Sequence, residues 1–158
     1  MNPDAASIAT IEAEIEVCKP NCEKFGWEIS EINNSELSFS VKMFSPIDRE
    51  IFLIRIDFKN YPEWPLLIEF IESDTGLVGT RRAYPLSKKF GHFFHSHPCI
   101  CHPASRKAYT GYSNVHQDWN LSSWKQNPQV GSLVNLNAIL EAIFFRINNE
   151  EVYAGRMK

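Results

Sequence analysis

No apolar run in this chain approaches the length of about 20 residues that a bilayer crossing needs, so a membrane span is not expected. Basic residues are too few for a nucleic-acid binder. The 16 Lys and Arg are outweighed by 19 Asp and Glu, leaving a net charge of −3 and no surplus to neutralise phosphates. The largest basic cluster, Arg81-Arg82 with Lys88-Lys89, reads as a solvated face. Residues Met1-Asn-Pro-Asp-Ala-Ala are acidic and lack the apolar core of a signal peptide, so a cytoplasmic protein is expected. In that compartment its four cysteines stay reduced. Internal repeats, linkers and low-complexity tracts are missing as well.

Enough apolar material is present for a core without staples. Hydrophobic residues make up 44% of 158, which fits one domain spanning residues 1–158. Ile8, Ile11, Ile15, Cys18 and Cys22 recur at spacings of three and four, which predicts a helix over 4–24 with Asp4 at its start. Pro20 is awkward there and predicts a distorted last turn or an end near Lys19. Strands are predicted at 27–32, 36–44, 50–58 and 66–71. Leu37, Phe39, Val41 and Met43, then Phe52, Ile54, Ile56 and Phe58, alternate with polar residues. Asn33-Asn34-Ser35 supplies the first turn. Residues 73–92 and 95–131 lack clear periodicity, and a loop of such length is more often functional than idle. A helix over 132–148 closes the chain, with Leu133, Leu136, Ile139, Leu140, Ile143, Phe144 and Ile147 as its stripe. The class is α+β, with an N-terminal helix, a four-stranded antiparallel meander, an active-site segment and a C-terminal helix.

The segment Phe94-His-Ser-His-Pro-Cys-Ile-Cys101-His-Pro103 carries the chemistry, and Tyr61-Pro-Glu-Trp-Pro65 precedes it. This order of landmarks resembles the ubiquitin-conjugating (E2, or UBC-fold) enzymes over about residues 8–148. Tyr-Pro-x-x-Pro-Pro of the family stands here as Tyr61-Pro62-Glu63-Trp64-Pro65-Leu66, and His-Pro-Asn as His97-Pro98-Cys99. Ile100-Cys101 matches the step that holds the catalytic cysteine, and Trp119 or Trp124 matches a downstream tryptophan. Cys99 replaces the family's asparagine, the spacer before the cysteine is nearly absent, and the two last helices of eukaryotic E2s have no room before Lys158. These departures resemble bacterial E2-like proteins of antiphage systems.

The resemblance implies a thioester on Cys101 and transfer of its acyl group to an amine. A thiolate suits both steps, as nucleophile and as leaving group. His97 and His102 are the adjacent candidates for catalytic support. The resemblance makes the histidine of the His-Pro pair chiefly structural. His116 and Asp118, in the 109–120 loop, are further candidates for the missing asparagine's polar role. The implied acyl donor is a cGAS-like nucleotidyltransferase or a ubiquitin-like protein, the acceptor is a protein amine, and activation belongs to a separate E1-like partner. No cofactor is implied.

Other readings of the same residues stay open. His95, His97, Cys99 and Cys101 alternate, with His92 and His102 as further donors, which suits a zinc site. His95-Ser-His97-Pro98 fits a fragment of the JAMM metalloprotease motif, but Ala108 stands where that motif needs an Asp. A non-catalytic E2-variant scaffold is the third reading.

Overall fold

The computed structural model describes residues 3–89 and 93–158. Helix α1 runs from Pro3 to Phe25. Its inward face carries Ile11 and Cys18, both fully buried, with Ile8, Ile15 and Cys22 packed at the margin. Pro20 does not end the helix. It lies on the exposed face, where water can take the carbonyl that its missing N–H leaves free. The stop comes at Gly26, whose N–H donates to the Cys22 carbonyl at 2.9 Å from a φ of 73° that glycine adopts without strain.

The next four strands form one antiparallel sheet in the order β1 (Glu28–Ile29), β2 (Ser38–Phe44), β3 (Ile51–Asp57), β4 (Leu67–Ile71). Cross-strand partners place Val41, Ile54 and Phe70 in one row and Phe39, Ile56 and Ile68 in the next, all buried. Alternation along each strand thus becomes a continuous apolar face. β1 is shorter than the stretch 27–32 predicts because Ser30 interrupts its ladder. The Ser30 hydroxyl, rather than a backbone carbonyl, accepts the Ser40 N–H at 2.9 Å. The turn before β2 is closed by Asn33 Oδ1, which accepts the N–H groups of Ser35 and Glu36.

Two small pairings lie in stretches that show no periodicity. β5 (Pro85–Ser87) pairs with β8 (Tyr153–Arg156) near the C-terminus. β6 (Phe94–His95) pairs with β7 (Cys99–Ile100). Helix α2 spans Leu136–Ile147 rather than 132–148, because Asn135 adopts extended angles and caps the Ala138 N–H. It packs on α1 and β2.

Glu14 joins three of these parts. Its carboxylate accepts the Tyr61 hydroxyl at 2.8 and 2.9 Å and the Leu136 N–H at 2.8 Å. A negative charge at the start of α2 is also favoured by the helix dipole. Burial and this neighbouring carboxylate hold the Tyr61 hydroxyl well above its usual range, so it stays a donor. Glu14→Ala is expected to cost about 2 kcal/mol, by leaving a phenol and a helix N–H without their acceptor. That lowers the melting temperature by roughly 4–8 °C. A shift under about 1 °C in a thermal melt would remove Glu14 from this account.

Candidate active site around Cys101

The β6–β7 hairpin delivers Cys101. Phe94 faces Ile100 and His95 faces Cys99, with residues 96–98 as the turn. The segment is therefore folded back on itself, and His95, His97, Cys99 and Cys101 do not lie along one extended strand. Arg81 donates from its guanidinium to the Ser96 carbonyl, bracing the turn. Cys101 follows β7, and its N–H donates to the Phe93 carbonyl at 2.8 Å.

Beyond Cys101 the backbone is anchored by Arg106, which is 3% exposed. Its Nε donates to the Pro65 carbonyl at 2.9 Å and its Nη2 to the Lys59 carbonyl at 2.5 Å. The Asp57 carboxylate lies 3.8 Å from Nη1 and the Trp64 ring 5.6 Å away. The Arg106 N–H donates to the Leu66 carbonyl at 2.9 Å. The segment Tyr61-Pro-Glu-Trp-Pro65, with a cis bond at Tyr61-Pro62, is thus tied to the chain just past Cys101. Trp124 adds a second tie, its buried indole donating to the Pro62 carbonyl at 2.9 Å.

The chain then loops out and returns. Gly111 donates to Asn114 Oδ1 at 2.9 Å, and the His116 N–H donates to the Ala108 carbonyl at 2.9 Å. Tyr109 and His116 form a parallel bridge. This return brings His116 Nε2 to 3.0 Å from Cys101 Sγ. Asp118 Oδ1 stands 3.9 Å from the ring's Nδ1, on a side chain that is 84% exposed. The imidazole lies flat against Trp119, with ring centroids 3.5 Å apart and planes 5° from parallel.

His97 and His102 are placed differently. His97 sits exposed at the hairpin turn, its N–H donating to His95 Nδ1 at 3.0 Å. His102 is turned inward against Phe93, and its Nδ1 accepts the Ala104 N–H at 3.0 Å. Burial, helped by the nearby Arg146 charge, pushes His102 down to about 4. It is neutral at physiological pH and is already used as a backbone acceptor. Among the described residues neither histidine is hydrogen-bonded to Cys101 Sγ. Cys99 is fully buried, and desolvation pushes its thiol up to about 11, against a hydrogen bond with Ser113. Among the described residues no group of three His, Cys, Asp or Glu side chains gathers to hold a metal ion. His92 lies outside the described residues. No helix is long and apolar enough to cross a membrane, again among the described residues.

Burial raises the Cys101 thiol above its usual range. Burial lowers His116, with Asp118 pulling it upward and His95 adding to the decrease. Both displacements favour the same resting pair, a neutral thiol donating to a neutral imidazole. The geometry allows the proton to move from Sγ to Nε2 if the sulfur attacks an electrophile. An open polar groove of about 380 Å³, lined by Asp118, Trp119, Asn120, Ser123, Gln126 and Gln129 among others, opens beside the Trp119 ring that stacks on His116. Compared with protein-family models, curated proteins and solved structures, the chain gives no match.

A coupled thiol–imidazole pair has a definite pH signature. Between the two titrations the fraction present as thiolate and imidazolium does not change with pH. Alkylation of Cys101 by iodoacetamide is expected to be nearly flat over about pH 6.5–8.5, with its acid limb below 6.5 because His116 is lowered. In His116→Gln the flat region vanishes, and the rate climbs about tenfold per pH unit below the thiol's own titration. A wild-type rate that climbs like the variant's would mean the two side chains are not coupled.

Proposed function

We propose that this chain is a bacterial E2-like conjugating enzyme of the UBC-fold type, acting in the cytoplasm in antiphage defence. It accepts the activated C-terminus of a cGAS-like nucleotidyltransferase or a ubiquitin-like modifier as a thioester on Cys101, and passes it to a protein amine. The observation that carries this reading is the 3.0 Å contact between Cys101 Sγ and His116 Nε2. Support also comes from the order of helix, four-stranded antiparallel sheet, cysteine segment and helix, with the Tyr61–Pro65 segment tied beside the cysteine segment.

Each step follows from the pair. In the first, the thiol proton passes to His116 Nε2 while Sγ bonds to the donor's acyl carbon. The carbonyl reforms as the donor's activating group leaves with its electron pair and takes the proton from His116 Nε2, which is neutral again. In the second, the acceptor amine attacks the thioester, His116 takes a proton from the attacking nitrogen, and Cys101 Sγ leaves as the thiolate. His116, with Asp118 behind it, supports proton transfer where the family's asparagine is missing. The groove beside Trp119 gives an approaching polypeptide a polar surface of amide and hydroxyl side chains.

The test is intact mass spectrometry of the protein co-expressed with the genes that neighbour its own, wild type beside Cys101→Ala. The expected result is an adduct of protein size that thiol reductant releases and that Cys101→Ala lacks. Its mass names the modifier. An unmodified protein in both preparations that carries stoichiometric zinc would replace conjugation with a metal site.

A further inference from the structure

The base of this site is oriented by an unusually weak partner on its far side. Asp118 is 3.9 Å from His116 Nδ1 and largely in solvent, too distant for a hydrogen bond and too exposed for a strong charge interaction. Something else must hold the ring at 3.0 Å from Sγ. Trp119 is the side chain in position to do so. Its indole covers one imidazole face at 3.5 Å and 5°. The indole is itself seated against Tyr109 at 5.6 Å. Tyr109 is 1% exposed, and its hydroxyl donates to the Pro103 carbonyl at 2.7 Å. A buried anchor, an aromatic relay and the base therefore stand in sequence.

The stacking does more than restrain the ring. The face of an indole carries negative quadrupole density, and a cation over it is attracted. Above its own titration His116 is neutral at rest, and it becomes a cation when it takes the Cys101 proton. Among the described residues the titratable groups around it are Cys101, Asp118 and His95, of which Asp118 and the nascent thiolate favour that charge.

We propose that Trp119 is a positioning residue of the Cys101–His116 pair, whose indole face stabilises the imidazolium formed when Cys101 gives up its proton. The step moves one proton from Sγ to Nε2 and makes or breaks no other bond. This inference rests on Cys101 being the nucleophile and His116 its base.

The readout is the flat region of the Cys101 alkylation profile divided by the fully alkaline limit. That ratio measures how much thiolate–imidazolium the neutral pair contains, whatever the accessibility of the sulfur. Trp119→Leu keeps apolar cover but removes the ring face, and is expected to lower the ratio roughly threefold to tenfold. Trp119→Phe keeps a ring face and is expected to stay within about twofold of wild type. An unchanged ratio in Trp119→Leu overturns the proposal, as does a Trp119→Phe ratio as low as that of Trp119→Leu.

Should the Trp119 variants fail to fold, the wild-type protein beside His116→Gln gives the answer. Protonation of a histidine stacked on indole quenches its fluorescence. An emission step is therefore expected below pH 6.5, at the midpoint of the alkylation acid limb, and missing from His116→Gln. No such step would equally overturn the proposal. A wild-type profile with no flat region fails the pair itself, whereas a flat region indifferent to residue 119 fails only this inference.

Discussion

The buried guanidinium of Arg106 is the constraint on which the site depends. Cys101 lies in a stretch with little regular structure of its own, so its place relative to the sheet must come from tertiary bonds. Arg106 supplies two side-chain donors and one backbone donor to the Lys59–Leu66 stretch that enters β4. A buried charge with its donors satisfied is tolerable, and losing its partners is costly. The chain on either side of Arg106 is therefore held to one geometry. On one side that yields the position of Cys101, and on the other the return of His116 beside Ala108.

That geometry produces a site whose burial works against ionisation. A thiol with a depressed titration would be reactive at all times. Here desolvation favours the neutral form of both partners, and in the proposed reaction charge separation awaits an electrophile. The imidazole 3.0 Å away makes the separation accessible, since a base within hydrogen-bond reach removes the need for free thiolate. Cys99, two residues earlier, has no such base among the described residues. It is sealed from solvent and its thiol is held at about 11. Two cysteines in one tripeptide thus receive different chemistry from their surroundings.

How much of this was legible in the chain varies with the range of the interaction. The first helix and the strands β2 to β4 announce themselves, because their buried residues repeat at the period of the element and their partners follow closely in sequence. β5 does not, since its partner is the distant β8 and a strand of three residues shows no period. The helix start at Leu136 was hidden because Leu133 and Val134 continue the apolar run while the cap falls later, at Asn135. At the candidate site, Cys101 could be named as the candidate nucleophile from its neighbours. His97 and His102 drew attention by adjacency, yet a hairpin turn carries one into solvent and a backbone contact occupies the other. His116 and Asp118 could be named as candidates from their residue types. The stacking by Trp119 could not, because nothing in the local pattern reveals that a loop returns with two rings parallel.

The most direct measurement of the central claim is transfer from a small acyl donor. The protein is incubated with an N-acetylglycine thioester, and uptake and discharge to hydroxylamine are followed by intact mass, wild type beside His116→Gln. The account predicts one acyl group on Cys101 of the wild type, discharged promptly, with both steps slowed at least about tenfold in the variant. Uptake and discharge at the same rates without His116, or acyl groups spread over other side chains, would contradict it.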